Sequence, residues 1–185
     1  MTLIDTRNLI LILVAALNSI LGLVIFIKNR KDPVNLWYGL MALPTSLWAI
    51  GIAFFRLATD LTLADFWARF YYASAALIGA SFMLFSFYFP FSIFKVKKVH
   101  KICFIVFSLA VLVVSLYPDV LVGQLFVRDW GKEVKLSDFY IIFSSYFLMC
   151  LVGAFGNLIL KIKKATTLQK IQIKFVFVGT MIAAI

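Results

Sequence analysis

The chain has 185 residues, of which 64% are hydrophobic and only 14% charged, with a formal net charge of +10. A soluble domain carries about a quarter charged residues, and a mean hydropathy of +1.03 leaves too few charges to cover the apolar surface in water. Lipid must solvate most of this chain, which removes most soluble-enzyme classes. Nor does the positive charge point to nucleic acid, because it clusters in short loops between apolar runs. That is a topology signal, with attraction to anionic lipid heads as a by-product.

Residues 8–27 carry no charge and are closed by Lys28, Arg30 and Lys31. A cleavable signal peptide would put its charge before a shorter apolar run of about 7–15 residues. This run is therefore a first transmembrane helix that stays in place. A second helix is expected over residues 35–55 and a third over 64–91, joined by the short polar break 56–63. Together they hold Trp37, Trp48 and Trp67. Each exceeds the roughly 20 residues that cross a hydrocarbon core, and the short break makes them antiparallel neighbours. Pro44 removes a backbone donor inside the second helix, and Thr45 and Ser46 are placed to satisfy the freed groups. In the third, Ala75/Gly79 and Ala76/Ala80 are overlapping small-xxx-small pairs that let helix backbones approach closely.

A basic loop follows from Lys95 to Lys101, then a fourth helix over residues 102–117, with Lys101 snorkelling at one end and Tyr117 anchoring the other. Beyond Pro118, two short β-prone runs, Leu125–Val127 and Val134–Leu136, flank Asp129-Trp130-Gly131-Lys132. This reads as a small hairpin outside the bilayer. A fifth helix is expected over 136–160, then the basic tract Lys161, Lys163, Lys164, Lys170 and Lys174. A sixth apolar run over 171–185 reaches only about 22 Å at 1.5 Å per residue, so the gene product is expected to continue past Ile185. The reading is all-α: a polytopic bundle of five complete helices, part of a sixth and the hairpin, with residues 1–185 forming one membrane-embedded domain.

Positive charge fixes orientation. The gaps after the first, third and fifth helices hold twelve of the eighteen basic residues, opposed only by Asp32. Arg7, Arg56, Arg128, Lys132 and Lys135 lie on the other side with seven of the eight acids, and Arg69 stands in the first turns of helix three. The N-terminus is then extracytoplasmic, in a cell membrane, with the loops 28–34, 92–101 and 161–170 inside.

No catalytic, cofactor or metal constellation emerges, and no GxSxG, P-loop, HExxH or Rossmann fingerprint is present. His100 sits among lysines as a solvated side chain. The helix serines Ser46, Ser74, Ser81, Ser86, Ser108, Ser115, Ser144 and Ser145 have no acid or His partner at bilayer depth, so backbone or interhelical hydrogen bonds account for them. Cys103 and Cys150 lie on different helices and read as buried, unreactive thiols rather than a disulfide. Arg69 is within reach of Asp65 on the preceding turn, and an ion pair accounts for it. Asn18 and Asn157 are expected to make interhelical bonds. The lack of mid-membrane charge counts against an ion-coupled transporter, although a small transporter or channel-like subunit is the competing class and a structural anchor a third.

The order of several short motifs resembles the seven-helix N-terminal membrane region found ahead of some bacterial histidine kinases. A basic loop closes the first helix, Asn35-Leu36-Trp37-Tyr38 opens the second, and Leu47-Trp48-Ala49 follows within it. An Ala-x-x-x-x-Arg pattern runs from Ala64 to Arg69, an aromatic run covers Phe82–Phe91, and Leu168-Gln169-Lys170-Ile171-Gln172 opens helix six. The resemblance extends over the whole chain to a point within helix six, and it implies a sensory input domain of a two-component system. It further implies a seventh helix, a cytoplasmic output domain and homodimerisation through the full-length protein, with the bilayer as the surrounding partner. The stimulus, any ligand-binding residues and the output remain unnamed, and His100 does not match a phospho-accepting histidine. A reporter fused after Lys101 is expected to read as cytoplasmic; an extracytoplasmic signal would reverse the topology.

Overall fold

The computed structural model describes residues 6–93, 96–129 and 131–184. Phe94, Lys95 of the expected basic loop and Trp130 of the expected turn lie outside the described residues, as do the first five residues and Ile185. In chain order the elements are α1 (Thr6–Lys28), α2 (Pro33–Leu57), α3 (Leu61–Tyr88), α4 (Lys98–Leu116), β1 (Val122–Arg128), β2 (Gly131–Leu136), α5 (Tyr140–Ile162) and α6 (Thr167–Ala184). The helices α1 to α5 are long and apolar enough to cross a membrane.

Helix boundaries move from the expected positions for identifiable local reasons. The α2 helix starts early because Asp32 caps it, accepting from the Val34 amide at 2.8 Å, with Pro33 at the first helical position. Asp60 caps α3 in the same way through the Leu63 amide at 3.1 Å. That helix stops at Tyr88 because Pro90 keeps the preceding Phe89 extended, at φ −85° and ψ 141°. Thr166 and Gln169 form a reciprocal capping box, which brings α6 forward to Thr167. In contrast α5 starts late, because Leu136 completes β2. The α4 helix begins at Lys98, so His100 lies in its first turn and not in a loop, where it is exposed. Lys101 does not snorkel freely either: its Nζ donates to the Tyr88 hydroxyl at 2.6 Å.

The centre of the bundle is α3, packed against α2, α4, α5 and β1. Three apolar clusters follow one another along it. Phe55, Ala64, Ala68 and Val122 form one end, Ala76, Phe143, Tyr146 and Cys150 the middle, and Phe82, Phe85, Ala154, Leu158 and Ile173 the other end. The expected close approach occurs at Gly79, where a Cβ would sit 3.1 Å from Phe147 and 3.3 Å from Cys150 of α5. By contrast α1 packs chiefly on α2, burying Asn8, Ala15 and Gly22 and turning its leucines and isoleucines outward.

Some sequence expectations change. The Thr45 and Ser46 hydroxyls donate to the Met41 and Ala42 carbonyls, not to the Leu40 carbonyl that Pro44 leaves without its amide donor. Asn18 donates to Val14 of its own helix at 3.0 Å, since the outward faces of α1 meet no second helix. Cys150 is buried as expected but Cys103 is exposed, because α4 covers little of its own surface. The helix serines Ser74, Ser108, Ser115 and Ser144 all donate to backbone carbonyls one turn back.

Replacing Gly79 by Leu is expected to overpack the α3–α5 contact and cost about 1–3 kcal/mol. Gly156→Ala, where no atom lies within 4 Å of the added carbon, should leave stability unchanged or slightly raised. Apparent unfolding temperatures in detergent compare the two.

Candidate functional site

A helix leaves its last four carbonyls without internal partners, and hydrocarbon supplies no donor for them. Three helices of this bundle meet that need with a cation borrowed from another element.

Lys161, near the end of α5, is fully buried. Its Nζ donates to the carbonyls of Ser86, Phe87 and Phe89 at 2.7, 3.0 and 2.7 Å. An ammonium has three protons, and here each meets an oxygen at the negative end of the α3 dipole. One turn earlier on the same face, Asn157 donates from Nδ2 to the Ser86 hydroxyl at 3.0 Å, and Ser86 donates onward to the Met83 carbonyl at 2.7 Å. Leu158 of α5 and Ile173 of α6 share one apolar cluster with Phe82 and Phe85. One short stretch thus joins the end of α3 to α5 and α6.

At the opposite end of the bundle, Lys132 of the hairpin donates to the carbonyls of Phe55 and Arg56, both at 2.9 Å, closing the end of α2. Its ammonium also lies 5.7 Å from the centre of the Phe55 ring, within cation–π range. Burial pulls the Lys132 ammonium below its ordinary pKa, and the two carbonyls and the ring offset that desolvation. The hairpin is antiparallel, with Arg128 opposite Gly131 and Val122 opposite Leu136. Val122 is fully buried against Ala64 and Ala68, which seats the strand on α3. Arg69 of α3 is the third cation. It pairs with Asp65 at 2.5 Å and donates from Nη1 to the Leu116 carbonyl at 3.0 Å, closing the end of α4.

The structure therefore unites Arg69 with Asp65, and Asn157 with Ser86, and neither pair includes His100, Asn18 or Cys103. Sequence reasoning placed Lys161 in a basic tract after helix five and Lys132 in the turn of a hairpin outside the bilayer. The available signal for Lys161 was its spacing of four from Asn157, which puts both on one helical face. For Lys132 no local signal exists, because its acceptors lie more than seventy residues away. Among the described residues, no three His, Cys, Asp or Glu side chains converge as a metal site would. These cations hold together elements that the chain alone would leave independent.

The family model for the N-terminal 7TM region of histidine kinase matches residues 10–185. The chain belongs to that family. Regions of this family are sensory and non-catalytic, and the chain is a multi-pass membrane protein. No curated protein and no solved structure matches it.

Lys161→Met should leave three carbonyls at the end of α3 without donors, at about 1–3 kcal/mol for each buried acceptor that water fails to reach. Lys161→Arg should rescue only partly, because a planar fork does not converge on three oxygens as an ammonium does. The expected readout is faster amide exchange over residues 82–89, with residues 122–136 unchanged. Equal exchange in Lys161→Met and the unmodified chain would show that Lys161 does not secure this helix end.

Proposed function

We propose that residues 1–185 form one input domain that passes a stimulus across the membrane to a cytoplasmic output domain following a seventh helix. The observation that carries this reading is the Lys161 junction. The centre of the bundle, α3, ends there on a side chain of α5, beside Ile173 of α6, the last helix before the expected continuation. At the other end Lys132 and Val122 seat the hairpin on the ends of α2 and α3. A stimulus that reseats the hairpin would bias α3 between two packings, and α5 and α6 would carry the difference inward, as in switches that act through small helix shifts.

On this reading the N-terminus is extracytoplasmic, the hairpin and the 58–60 turn face outward, and the full-length protein acts as a homodimer in the bilayer. Asn18 is bonded to its own helix and Asn157 to Ser86, whereas a permeation path would want such polar groups free to line it. This favours sensing over transport.

The coding sequence after Ile185 is expected to encode a seventh apolar helix and then a soluble signalling domain; a stop codon soon after Ile185 refutes the proposal. In the full-length protein, Lys132→Met and Lys161→Met should each change basal output about fivefold or more, the lower end of ordinary allosteric coupling. Output identical to the unmodified protein in both variants, at matched membrane levels, would also overturn it.

A further inference from the structure

An apolar groove of about 360 Å³ lies between α1 and α2, lined by Ser19, Leu23 and Phe26 on one side and Leu40 and Leu43 on the other. From Ser19 to Phe26 it runs about 10 Å along the helix axis at 1.5 Å per residue. Gly22 and Gly39 bring the helices together at its floor, where a Cβ on Gly22 would stand 2.6 Å from the Ala42 Cβ. Leu40 and Leu43 also wall a second apolar groove, of about 270 Å³, which reaches Trp37 on α2 and continues to α3 and α4.

The first groove has a charged mouth. Lys28, Arg30 and Lys31 stand exposed in the turn that ends α1, tightened by the bond from the Lys31 amide to the Asn29 side chain at 3.2 Å. The Arg30 guanidinium lies 5.5 Å from the centre of the Phe26 ring, which places a cation over a residue that lines the groove. Asp32 is the one acid of this turn, and its carboxylate is engaged by the Val34 amide as the α2 cap. An apolar channel beside a membrane helix, opening beneath Arg30 in a basic turn whose one carboxylate is committed, has the chemistry of a site for an amphiphile with an anionic head.

We propose that this groove is a selective site for an anionic phospholipid, with one acyl chain between α1 and α2 and the phosphate at Arg30 and Lys31. Charge complementarity selects the head and the groove takes the tail. The site is independent of the signalling proposal above, since it requires neither the hairpin nor Lys161.

Trp37 can report occupancy from the adjoining groove. In the full chain with Trp48, Trp67 and Trp130 changed to Phe, reconstituted in phosphatidylcholine vesicles, brominated phosphatidylglycerol is introduced as a minor component. It should quench Trp37 more strongly than brominated phosphatidylcholine at the same mole fraction. The local enrichment expected is about fivefold for each net cation acting on the head. Arg30→Gln with Lys31→Gln should remove the preference, whereas Lys163→Gln with Lys164→Gln should keep it. Ser19→Phe, which fills the groove from an exposed position, should lower quenching by both lipids. Equal quenching by the two lipids in the starting protein would overturn the proposal. So would loss of the preference in the Lys163/Lys164 variant, which would mark diffuse surface charge. If circular dichroism shows that the tryptophan replacements unfold the chain, retention of the two lipids by the unmodified protein in native mass spectrometry replaces the quenching. Equal retention would count against the site in the same way.

Discussion

The bundle depends on the closure of helix ends in a medium that cannot hydrogen-bond them. Every helix that stops within or beside hydrocarbon exposes carbonyls whose desolvation is costly. Water solves this problem at a soluble surface, whereas here α2, α3 and α4 each stop where a cation from elsewhere can reach. Lys132, Lys161 and Arg69 supply those cations, and each joins elements far apart in sequence. Closure of the ends and assembly of the bundle are therefore one event.

This arrangement also explains how an apolar protein maintains specific order. Interhelical packing in lipid has no strong hydrophobic drive, so association relies on close backbone contact and polar bonds. Gly79 and Ala76 let α5 come close to α3, and the Tyr146 hydroxyl then donates to the Ala76 carbonyl at 3.1 Å. Small residues set the distance and the polar bonds set the register. The cations at either end prevent the helices from sliding along their axes. Such bonds concentrate at the ends of α2 and α3.

The peripheral position of α1 follows from the same physics. It carries few polar groups, and its contact with α2 is made by Ala15 and Gly22 while its branched side chains face outward. Small residues at the contact and bulky ones on either side leave grooves beside the seam. The apolar channel under Arg30 is a consequence of that packing, and the basic turn that ends α1 charges its mouth.

The number of helices, the hairpin and the membrane setting were legible in the sequence, because run length, hydropathy and turn residues act locally and lipid imposes one strong constraint on each segment. The motif order from Asn35 to Gln172 also carried the family likeness that the match over residues 10–185 supports. Boundaries were less legible, since Asp32, Asp60 and the Thr166–Gln169 box act through single side chains at positions that periodicity does not mark. The role of Lys132 was not legible at all, and that of Lys161 only as a helical face shared with Asn157. A lysine beside an apolar run has the same local signature whether it meets water or the carbonyls of a distant helix. Only the tertiary structure, by bringing those carbonyls within 3 Å of the ammonium groups, decided that these two lysines hold distant elements together.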